Sequence, residues 1–486
     1  MKLKTFFLLI TVFFTVVTSA NPIRAYLSYS VFNTPVNQPY IETYLAISGN
    51  SIVQVSVSDS LYQGTVEVQM IFRMNDSIVN YDKFELSGPK LKDTLKNNFN
   101  YLNVERYALP NGTYQLELLL NDKNSTDNPT INFTEFTIDF RADSLSFSDI
   151  ELLQKFTKDS VNNKMVKNGY ELIPYVFNYY PEQVSVLSFY AELYNSNIAF
   201  DNGQFLLSYY IRPFEVDNKL DAYSSIKKTN SSGVNILLNS IDISKLPSGN
   251  YLLVLEARNR NNELVAMKEI FFQRYNSITD NYVVNMEAID AKDSFVSAFT
   301  SRDTLVQYIE YLESISTQAE KTFVKGNLRS ADMETLREYF LGFWVQRDPN
   351  NPEGAWKDYK ARVDQANFNF KTVSIPGYKS DRGRIYLQYG QPNTISESYT
   401  EPSAYPYTIW HYYSMGSQRD VVFVFYTHEV ATNDFQLIHS NAVGELQNYT
   451  WQRSIFQRTW GFQSVDDAVM PPTWGSNVDT YYLYPR

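Results

Sequence analysis

Strict alternation of apolar and polar residues dominates the first half of the chain. The run over 65–72 reads Thr-Val-Glu-Val-Gln-Met-Ile-Phe, and similar period-two runs occupy 52–57, 133–140, 186–194 and 204–211. Successive side chains of a strand point to opposite faces, so this period predicts half-buried β-strands. Residues 21–275 are therefore predicted to be β-structure.

A repeated segment divides this β region in two. The sequence Leu-Pro-Asn-Gly-Thr-Tyr-Gln-Leu over 109–116 returns as Leu-Pro-Ser-Gly-Asn-Tyr-Leu-Leu over 246–253, 137 residues later. A Pro-x-Gly turn that leads into a Tyr/Leu strand is common in sandwiches of the immunoglobulin or fibronectin type. We predict two tandem β-sandwiches, over 21–143 and 144–275. By analogy with other exported proteins, they would act as spacers or docking surfaces.

The pattern changes to a helical period after residue 275. A first helix is predicted around 305–315, and a second begins at the N-cap Asp332 and ends before Pro349. A third helix is predicted over 355–370. One face of each of the first two helices is apolar: Leu305, Tyr308, Ile309, Leu312 and Ile315, then Leu336, Tyr339, Phe340, Phe343 and Trp344.

Strand-like runs follow these helices. They occupy 384–389, 408–413, 420–427 and 435–440 and suggest an antiparallel meander. Residues 276–445 are therefore predicted to form an α+β domain in which a helical hairpin packs on an antiparallel sheet. Residues 446–486 are rich in aromatic residues and broken by Pro471, Pro472 and Gly475. We predict that they form an extension wrapped around the domain.

The N-terminus has the composition of a secretory signal. Lys2 and Lys4 precede an apolar stretch over 6–17, and Thr-Ser-Ala ends at position 20. This order predicts a cleavable signal peptide over 1–20, with an apolar stretch too short to span a bilayer comfortably. We expect export to the periplasm or an association with the outer membrane. The chain contains no cysteine, which argues against a lipoprotein anchor, disulfides, thiol catalysis and cysteine-bound metal.

Charge and aromatic content narrow the classes of partner. Without the predicted signal peptide, 40 basic residues face 53 acidic ones, a net charge of −13. An acidic chain without lysine or arginine blocks is a poor candidate for nucleic acid or anionic membranes, and no later apolar run has the length of a transmembrane helix. The 38 tyrosines and 32 phenylalanines fit half-buried strands, but they would also fit a sugar-stacking surface.

Two charged segments of the C-terminal region stand out. The first is Phe-Trp-Val-Gln-Arg-Asp-Pro over 343–349, and the second is Gly-Tyr-Lys-Ser-Asp-Arg-Gly-Arg over 377–384. Together with Tyr-Gly-Gln-Pro over 389–392, they resemble the GWxTD domain across roughly residues 285–445. The resemblance implies an exported protein, of the kind found especially in the Bacteroidota, without an established activity. Tyr378 replaces the tryptophan and Ser380 the threonine of the name-giving motif.

The residues of these segments allow three interpretations. As structural elements, two arginine–carboxylate pairs would join the helical hairpin to the first strand, with Tyr378 packed on Trp344 or Phe343. They could instead line a groove for an acidic or carbohydrate partner. A catalytic pair of Asp348 and Asp381 is disfavoured because neighbouring arginines would lower both pKa values. The candidate residues are Trp344, Arg347, Asp348, Gly377, Tyr378, Ser380, Asp381, Arg382, Gly383 and Arg384.

The sequence gives little support for a metal, catalytic or cofactor site. His411, His428 and His439 are weak candidates for zinc because their spacing is irregular and no His-Glu-x-x-His motif is present. Motifs for nucleophilic catalysis, phosphate binding or dinucleotide binding are absent, so no cofactor is expected. The leading hypothesis is a non-enzymatic envelope protein with a protein partner. The alternative is a carbohydrate-binding or carbohydrate-active protein that uses exposed aromatics and carboxylates.

Overall fold

The computed structural model covers most of the chain. It describes residues 23–58, 60–75, 77–93, 99–126, 129–158, 163–201, 203–278, 291–401, 404–416, 418–448, 451–456 and 476–483. The predicted signal peptide over 1–20 lies outside the described residues.

In the described part of residues 23–138, nine strands belong to the first β-sandwich. They are β1 Ala25–Phe32, β2 Tyr40–Ser48, β3 Val55–Ser58, β4 Leu61–Gln63, β5 Thr65–Met74, β6 Ser77–Ser87, β7 Asn100–Ala108, β8 Gly112–Asp122 and β9 Thr130–Ile138. Antiparallel sheets in the order β1-β2-β7 and β6-β5-β8-β9 face each other, and β3-β4 is a separate hairpin. Alternate residues of β5 and β8, such as Val68 and Leu118, are buried in the core between the sheets.

The second sandwich repeats this arrangement. Its elements are β10 Ser146–Phe147, β11 Glu151–Lys158, β12 Val166–Lys167, β13 Tyr170–Pro174, β14 Tyr179–Tyr180, β15 Val186–Tyr194, α1 Ser196–Ala199, β16 Gln204–Pro213, β17 Ser224–Asn230, β18 Val234–Asp242, β19 Gly249–Arg258 and β20 Leu264–Arg274. One sheet contains β10-β15-β11-β13-β12 with β18 on β15, and the other contains β14-β20-β19-β16-β17. The predicted immunoglobulin- or fibronectin-like tandem sandwiches are confirmed.

The repeated sequence forms the same hydrogen bond in both sandwiches. The Tyr114 hydroxyl donates to the Pro110 carbonyl at 2.7 Å, and the Tyr251 hydroxyl donates to the Pro247 carbonyl at 3.1 Å. In both sandwiches the glycine of the Pro-x-Gly turn begins the strand, β8 or β19. This geometry resembles the tyrosine corner of immunoglobulin-like sandwiches, in which a tyrosine fixes the turn before a strand.

At the junctions between domains, the strands β2, β15 and β19 are buried on both faces. One face of β2 lies in the first core through Ile41 and Leu45, while Tyr44 on its other face joins a cluster with Val176 of the second sandwich. The strand β15 likewise separates the second core from the cluster that contains Phe32. The outer face of β19 packs, together with Phe271, on Val443 of the C-terminal domain. The three domains therefore form a continuous stack.

A buried ionic cluster lies between the two sandwiches. The Lys167 ammonium contacts Glu42 at 3.0 Å and Glu151 at 3.1 Å, and it lies 3.6 Å from the centre of the Phe32 ring. Arg106 pairs with the second oxygen of Glu42. Burial raises the pKa of Glu151 to about 7, against the opposing effect of Lys167. The junction thus holds charges that depend on one another for compensation.

The C-terminal domain combines helices with one sheet. Its elements are α2 Arg302–Tyr311, α3 Gln318–Asn327, α4 Met333–Arg347, α5 Pro352–Phe370, α6 Asp381–Tyr389, β21 Thr394–Ser398, β22 Tyr407–Met415, β23 Gln418–Tyr426, β24 Gln436–Ser440, α7 Trp451–Phe456 and α8 Val478–Leu483. The strands pair antiparallel in the order β21-β22-β23-β24. The helical hairpin formed by α4 and α5 is present as predicted, and the Asp332 carboxylate caps α4 by accepting from Thr335 N at 2.8 Å.

The sheet of this domain is covered on both faces. Phe370 at the end of α5 and Ile385 of α6 pack on one face. Trp451 of α7 and Val478 of α8 pack on the other. The hairpin thus reaches the sheet through the end of α5, while α2, α3, α4 and most of α5 form a helical core of their own.

The predicted strand over 384–389 is wrong, because this segment is the helix α6. Ile385 and Leu387 suggested a strand by alternation, but the signals for a helix start at Ser380 outweigh it. Ser380 caps the helix, Asp381 carries negative charge in its first turn, and Gly390 with φ 85° ends it. The sequence interpretation also overlooked α3 and β21.

Candidate functional site

The segment over 377–384 is mostly buried, so it is not an open loop. Tyr378 is 7% exposed, Ser380 3% and Arg382 6%. Gly377 to Lys379 form a 3-10 turn against α5, and α6 follows directly. A catalytic or binding role for this segment would need exposed groups, and most of its side chains instead pack inside the domain.

The hydroxyl of Ser380 organises the turn. It accepts a hydrogen bond from Gly383 N at 3.1 Å as the N-cap of α6 and donates to Gly377 O at 2.8 Å. The two glycines allow a close approach: a Cβ on Gly383 would collide with the Gly377 carbonyl, and one on Gly377 would collide with the Ala366 carbonyl. A threonine hydroxyl at this position could cap the helix in the same way.

Asp381 and Arg384 attach α6 to different segments. Asp381 Oδ2 accepts from Leu437 N of β24 at 2.8 Å. Arg384 forms a bidentate pair with Glu445, with both N–O distances at 2.8 Å, and Tyr389 donates to the same carboxylate at 2.9 Å. Glu445 follows Val443, which packs on the second sandwich, so this pair holds the loop through which the C-terminal domain contacts that sandwich.

Arg347 is bonded inside the helical core. Its guanidinium donates to the two carboxylate oxygens of Glu320 at 3.0 and 2.9 Å and to the Ile315 carbonyl at 2.7 Å. It also lies 3.3 Å from the centre of the Phe343 ring. Glu320 belongs to the capping box of α3, where it accepts from Thr317 N at 2.7 Å. Arg347 thus connects the end of α4 to the start of α3.

The prediction that the arginines pair with carboxylates of the 343–349 and 377–384 segments is therefore wrong. The arginines pair with Glu320 and Glu445, residues that the sequence interpretation did not single out, because nothing local in the sequence marks long-range ion pairs. Asp348 instead accepts from the backbone of the α4–α5 connection, from Asn351 N at 2.9 Å. Arg382 has no carboxylate partner among the described ion pairs and lies 4.1 Å from the centre of the Phe435 ring.

Tyr378 also packs on a different neighbour than expected. Its ring meets that of Tyr311 edge-on at 4.7 Å between centroids, and its hydroxyl donates to Glu310 at 3.2 Å. Both partners belong to α2, so the ring does not stack directly on Trp344 or Phe343. The aromatic of the motif thus holds α2 against the turn over 377–379.

The 343–349 segment, in contrast, borders an open groove of about 460 Å³. One wall is formed by residues 215–217, which follow β16 of the second sandwich. The other wall consists of Trp344, Arg347 and Asp348 at the end of α4 and of the first three turns of α5. Asn218 Nδ2 donates to the Gln346 carbonyl at 3.1 Å and connects the two walls.

The groove has an acidic lining. Its carboxylates are those of Glu215, Asp217, Asp348 and Asp358. Burial raises the pKa of Glu215, although a hydrogen bond from Asn250 opposes this effect. This charge is unsuited to the acidic partner that the motif suggested, and it was not foreseeable because its carboxylates come from two domains.

The three histidines have partners within the domain. His411 Nε2 lies 2.8 Å from the Tyr481 carbonyl, and His439 Nδ1 accepts from Asn448 N at 3.1 Å. His428 packs edge-on against Tyr405 at 4.5 Å between centroids. Within the described part of the chain, no three histidine or carboxylate side chains are grouped so that they could hold a metal ion.

Several solved structures match parts of the chain at low identity and low TM-score. A structure titled "Biofilm associated protein - BSP domain" is 10% identical with a TM-score of 0.16, and the match covers 54% of this chain and 53% of the chain in that structure. Fibronectin(III)-like modules of Clostridium thermocellum CbhA are 10% identical with a TM-score of 0.13, covering 49% and 85%. A purple acid phosphatase of yellow lupin is 9% identical with a TM-score of 0.15, covering 51% and 41%. The chain thus spans about half the length of the biofilm protein structure.

The C-terminal part matches a protein family directly. No curated protein matches the chain. Separately, none of the helices in the described residues is long and apolar enough to cross a membrane. The family model described as "GWxTD domain" matches residues 274–457, which include the buried 377–384 turn and the 343–349 segment. The chain therefore contains a GWxTD domain, preceded by two β-sandwiches.

Proposed function

We propose that this chain is an exported, non-enzymatic protein of the cell envelope whose GWxTD domain engages a protein partner. The observation that carries the proposal is that the charged side chains of the motif are bonded inside the domain. Arg347, Arg384 and Asp381 form internal bonds, to Glu320, Glu445 and the backbone of β24. These groups hold the domain together, and a catalytic cleft would instead leave acidic and basic groups free to reach a substrate.

The stacked domains support a scaffold. Both junctions bury apolar side chains, such as Tyr44 in the first and Phe271 in the second. A stack with buried junctions presents its last domain in a fixed orientation, whereas a flexible tether would not. The proposed domain limits are 21–143, 144–275 and 276–445, with an extension over 446–486. Export is supported by the composition of residues 1–20.

Crosslinking in cells tests this proposal. A photoreactive phenylalanine analogue replaces Phe368, which is 88% exposed on α5 of the GWxTD domain, and Tyr81, which is 50% exposed on the first sandwich, serves as the matched control. We expect a discrete protein adduct from position 368 in the envelope fraction and a mature N-terminus at Asn21. A protein found only in the cytoplasm, or one without an adduct across a scan of exposed GWxTD positions, contradicts the proposal.

A carbohydrate surface is a second candidate, favoured by one exposed aromatic pair. Tyr179 in β14 is 45% exposed, and Tyr275, directly after the neighbouring strand β20, is 52% exposed. Tyr275 N donates to Tyr180 O at 3.0 Å. Exposed tyrosine rings can stack on sugar faces. A glycan that binds there should raise the thermal midpoint of the protein and lose this effect in Y179A/Y275A. A glycan panel without any shift argues against this candidate.

A further inference from the structure

We propose that the groove between the second sandwich and the GWxTD domain binds an extended, basic segment of a partner protein. The inference rests on the proposed function and adds the place and the chemistry of the contact. Clefts between domains are favoured binding sites because side chains from two bodies converge there. Three motif residues, Trp344, Arg347 and Asp348, line this groove.

The groove is held open by contacts outside its lining. Val443 packs on Phe271 and its neighbours in one cluster, and Asn218 bonds to the Gln346 carbonyl. The Arg384–Glu445 pair holds the loop that carries Val443. A partner would therefore meet a preformed site and lose less free energy to ordering the protein.

The charge of the lining selects cations. The positive charge of Arg347 is already compensated by Glu320, which is buried beneath it. Arg362, which is exposed on α5, is the remaining cation in the lining, and the lining also contains four carboxylates. Asp217 lies 3.5 Å from the Arg212 guanidinium, but 93% of its side chain is exposed and such a solvated pair is weak. Asp358 is exposed as well, so both carboxylates can reach a bound lysine or arginine. Complementary charge of this kind favours basic over acidic ligands.

An independent observation concerns Trp344. This residue lines the groove and is 3% exposed, yet its indole Nε1–H has no acceptor among the described residues. A buried donor without an acceptor is costly, and a ligand that brings an acceptor recovers that cost. A free carboxylate or phosphate would provide one but would be repelled by the surrounding carboxylates. A peptide provides a neutral backbone carbonyl for Trp344 together with cationic side chains for the rim.

The direct test uses a defined probe, the capped hexapeptide Lys-Ala-Lys-Ala-Lys-Ala, with Glu-Ala-Glu-Ala-Glu-Ala as its acidic counterpart. Calorimetry on the purified protein at low salt should show 1:1 binding of the basic peptide and none of the acidic one. In D217N/D358N the affinity should fall at least about tenfold. The matched control D293N/D303N removes two exposed carboxylates outside the groove and should stay within about twofold of the wild type.

Trp344 is tested by W344F, which retains an aromatic ring and removes the donor. We expect affinity for the basic peptide to fall about fivefold or more with an unchanged salt dependence. The thermal midpoint of W344F is measured alongside, and the affinity is determined well below it. The charge variants alone decide the proposal if W344F does not fold.

Two results would overturn the inference: no binding of the basic peptide to the wild-type protein, or equal losses in D217N/D358N and D293N/D303N. The second result would mean that the basic peptide is attracted by the overall negative charge of the protein and not by the groove. If the peptide fails while crosslinks from Phe368 identify a partner, the groove assignment is wrong and the proposed function stands. If neither the peptide nor crosslinking reveals a partner, both are wrong.

Discussion

Arg347 and Glu320 face each other as a bidentate pair, with side chains only 12% and 1% exposed. Glu320 at the same time caps α3 through Thr317 N. One carboxylate thus neutralises the arginine of the family motif and begins a neighbouring helix. The pair is a structural joint between α3 and α4, and its burial makes it sensitive to the loss of either partner.

Removing the arginine should destabilise the protein strongly. R347M leaves the Glu320 carboxylate buried and unpaired, so we expect a loss of about 3–5 kcal/mol in the free energy of unfolding. Urea denaturation followed by fluorescence measures it. R362M removes an exposed arginine of the neighbouring helix and should change stability by less than about 0.5 kcal/mol. Similar losses in both variants would show that the pair has no special role.

The cap at Ser380 predicts a graded effect. S380A removes the acceptor of Gly383 N and should cost about 1 kcal/mol, while S380T retains a capping hydroxyl and should cost much less. Thermal and urea unfolding compare the two. An S380T variant as unstable as S380A would mean that the methyl group does not fit beside Gly377 and that the cap is not the limiting feature.

The repeated tyrosine hydrogen bond should contribute equally in the two sandwiches. Y114F and Y251F each remove one hydrogen bond to a proline carbonyl with little change in packing, at an expected cost of about 0.5–1.5 kcal/mol each. The two sites lie in different sandwiches, so the double variant should show nearly additive losses. If only one of the two variants lost stability, the repeated sequence would not have the same structural role in the two sandwiches.

Stability at the junction of the sandwiches should depend on pH through Glu151. The pKa of Glu151 is raised in the folded state to about 7 from its ordinary value of 4.5, so the folded state binds the proton more tightly. Unfolding free energy should therefore fall as pH rises from about 4.5 to 7 and then level off.

The variant E151Q isolates this effect, since it cannot titrate. Between pH 5 and pH 8, the wild type should lose about 1–3 kcal/mol relative to E151Q. The comparison between variants is needed because buried His439, whose pKa is lowered to about 4, contributes in the opposite direction over an overlapping range. Parallel pH profiles for the two proteins would show that Glu151 titrates normally.

Local patterns predicted much of this fold. The strand over 186–194 and the cap at Asp332 are found where the sequence placed them, because alternation and capping are short-range effects. The segment over 384–389 shows the limit of alternation: two apolar residues two apart also fit a helix that packs on both a sheet and a helical core. There the capping residue Ser380 was the better guide.

The candidate site was less accessible to sequence reasoning. The buried pairs of Arg347 and Arg384 join residues 27 and 61 positions apart, and no local pattern specifies such contacts. The groove likewise depends on how the second sandwich lies against α4 and α5. What the sequence offered was the family motif, and the structure divides that motif into a buried turn and a segment that borders a groove.

Strands with two buried faces also restrict how this protein can be divided or recombined. A fragment that ended at residue 143 would expose Tyr44 and Glu42 to water, and one that began there would leave Lys167 without Glu42. The sandwiches are therefore not interchangeable modules on a string. Fragments should aggregate or need redesigned surfaces, and insertions or deletions between the domains should be tolerated less well than changes within the surface loops.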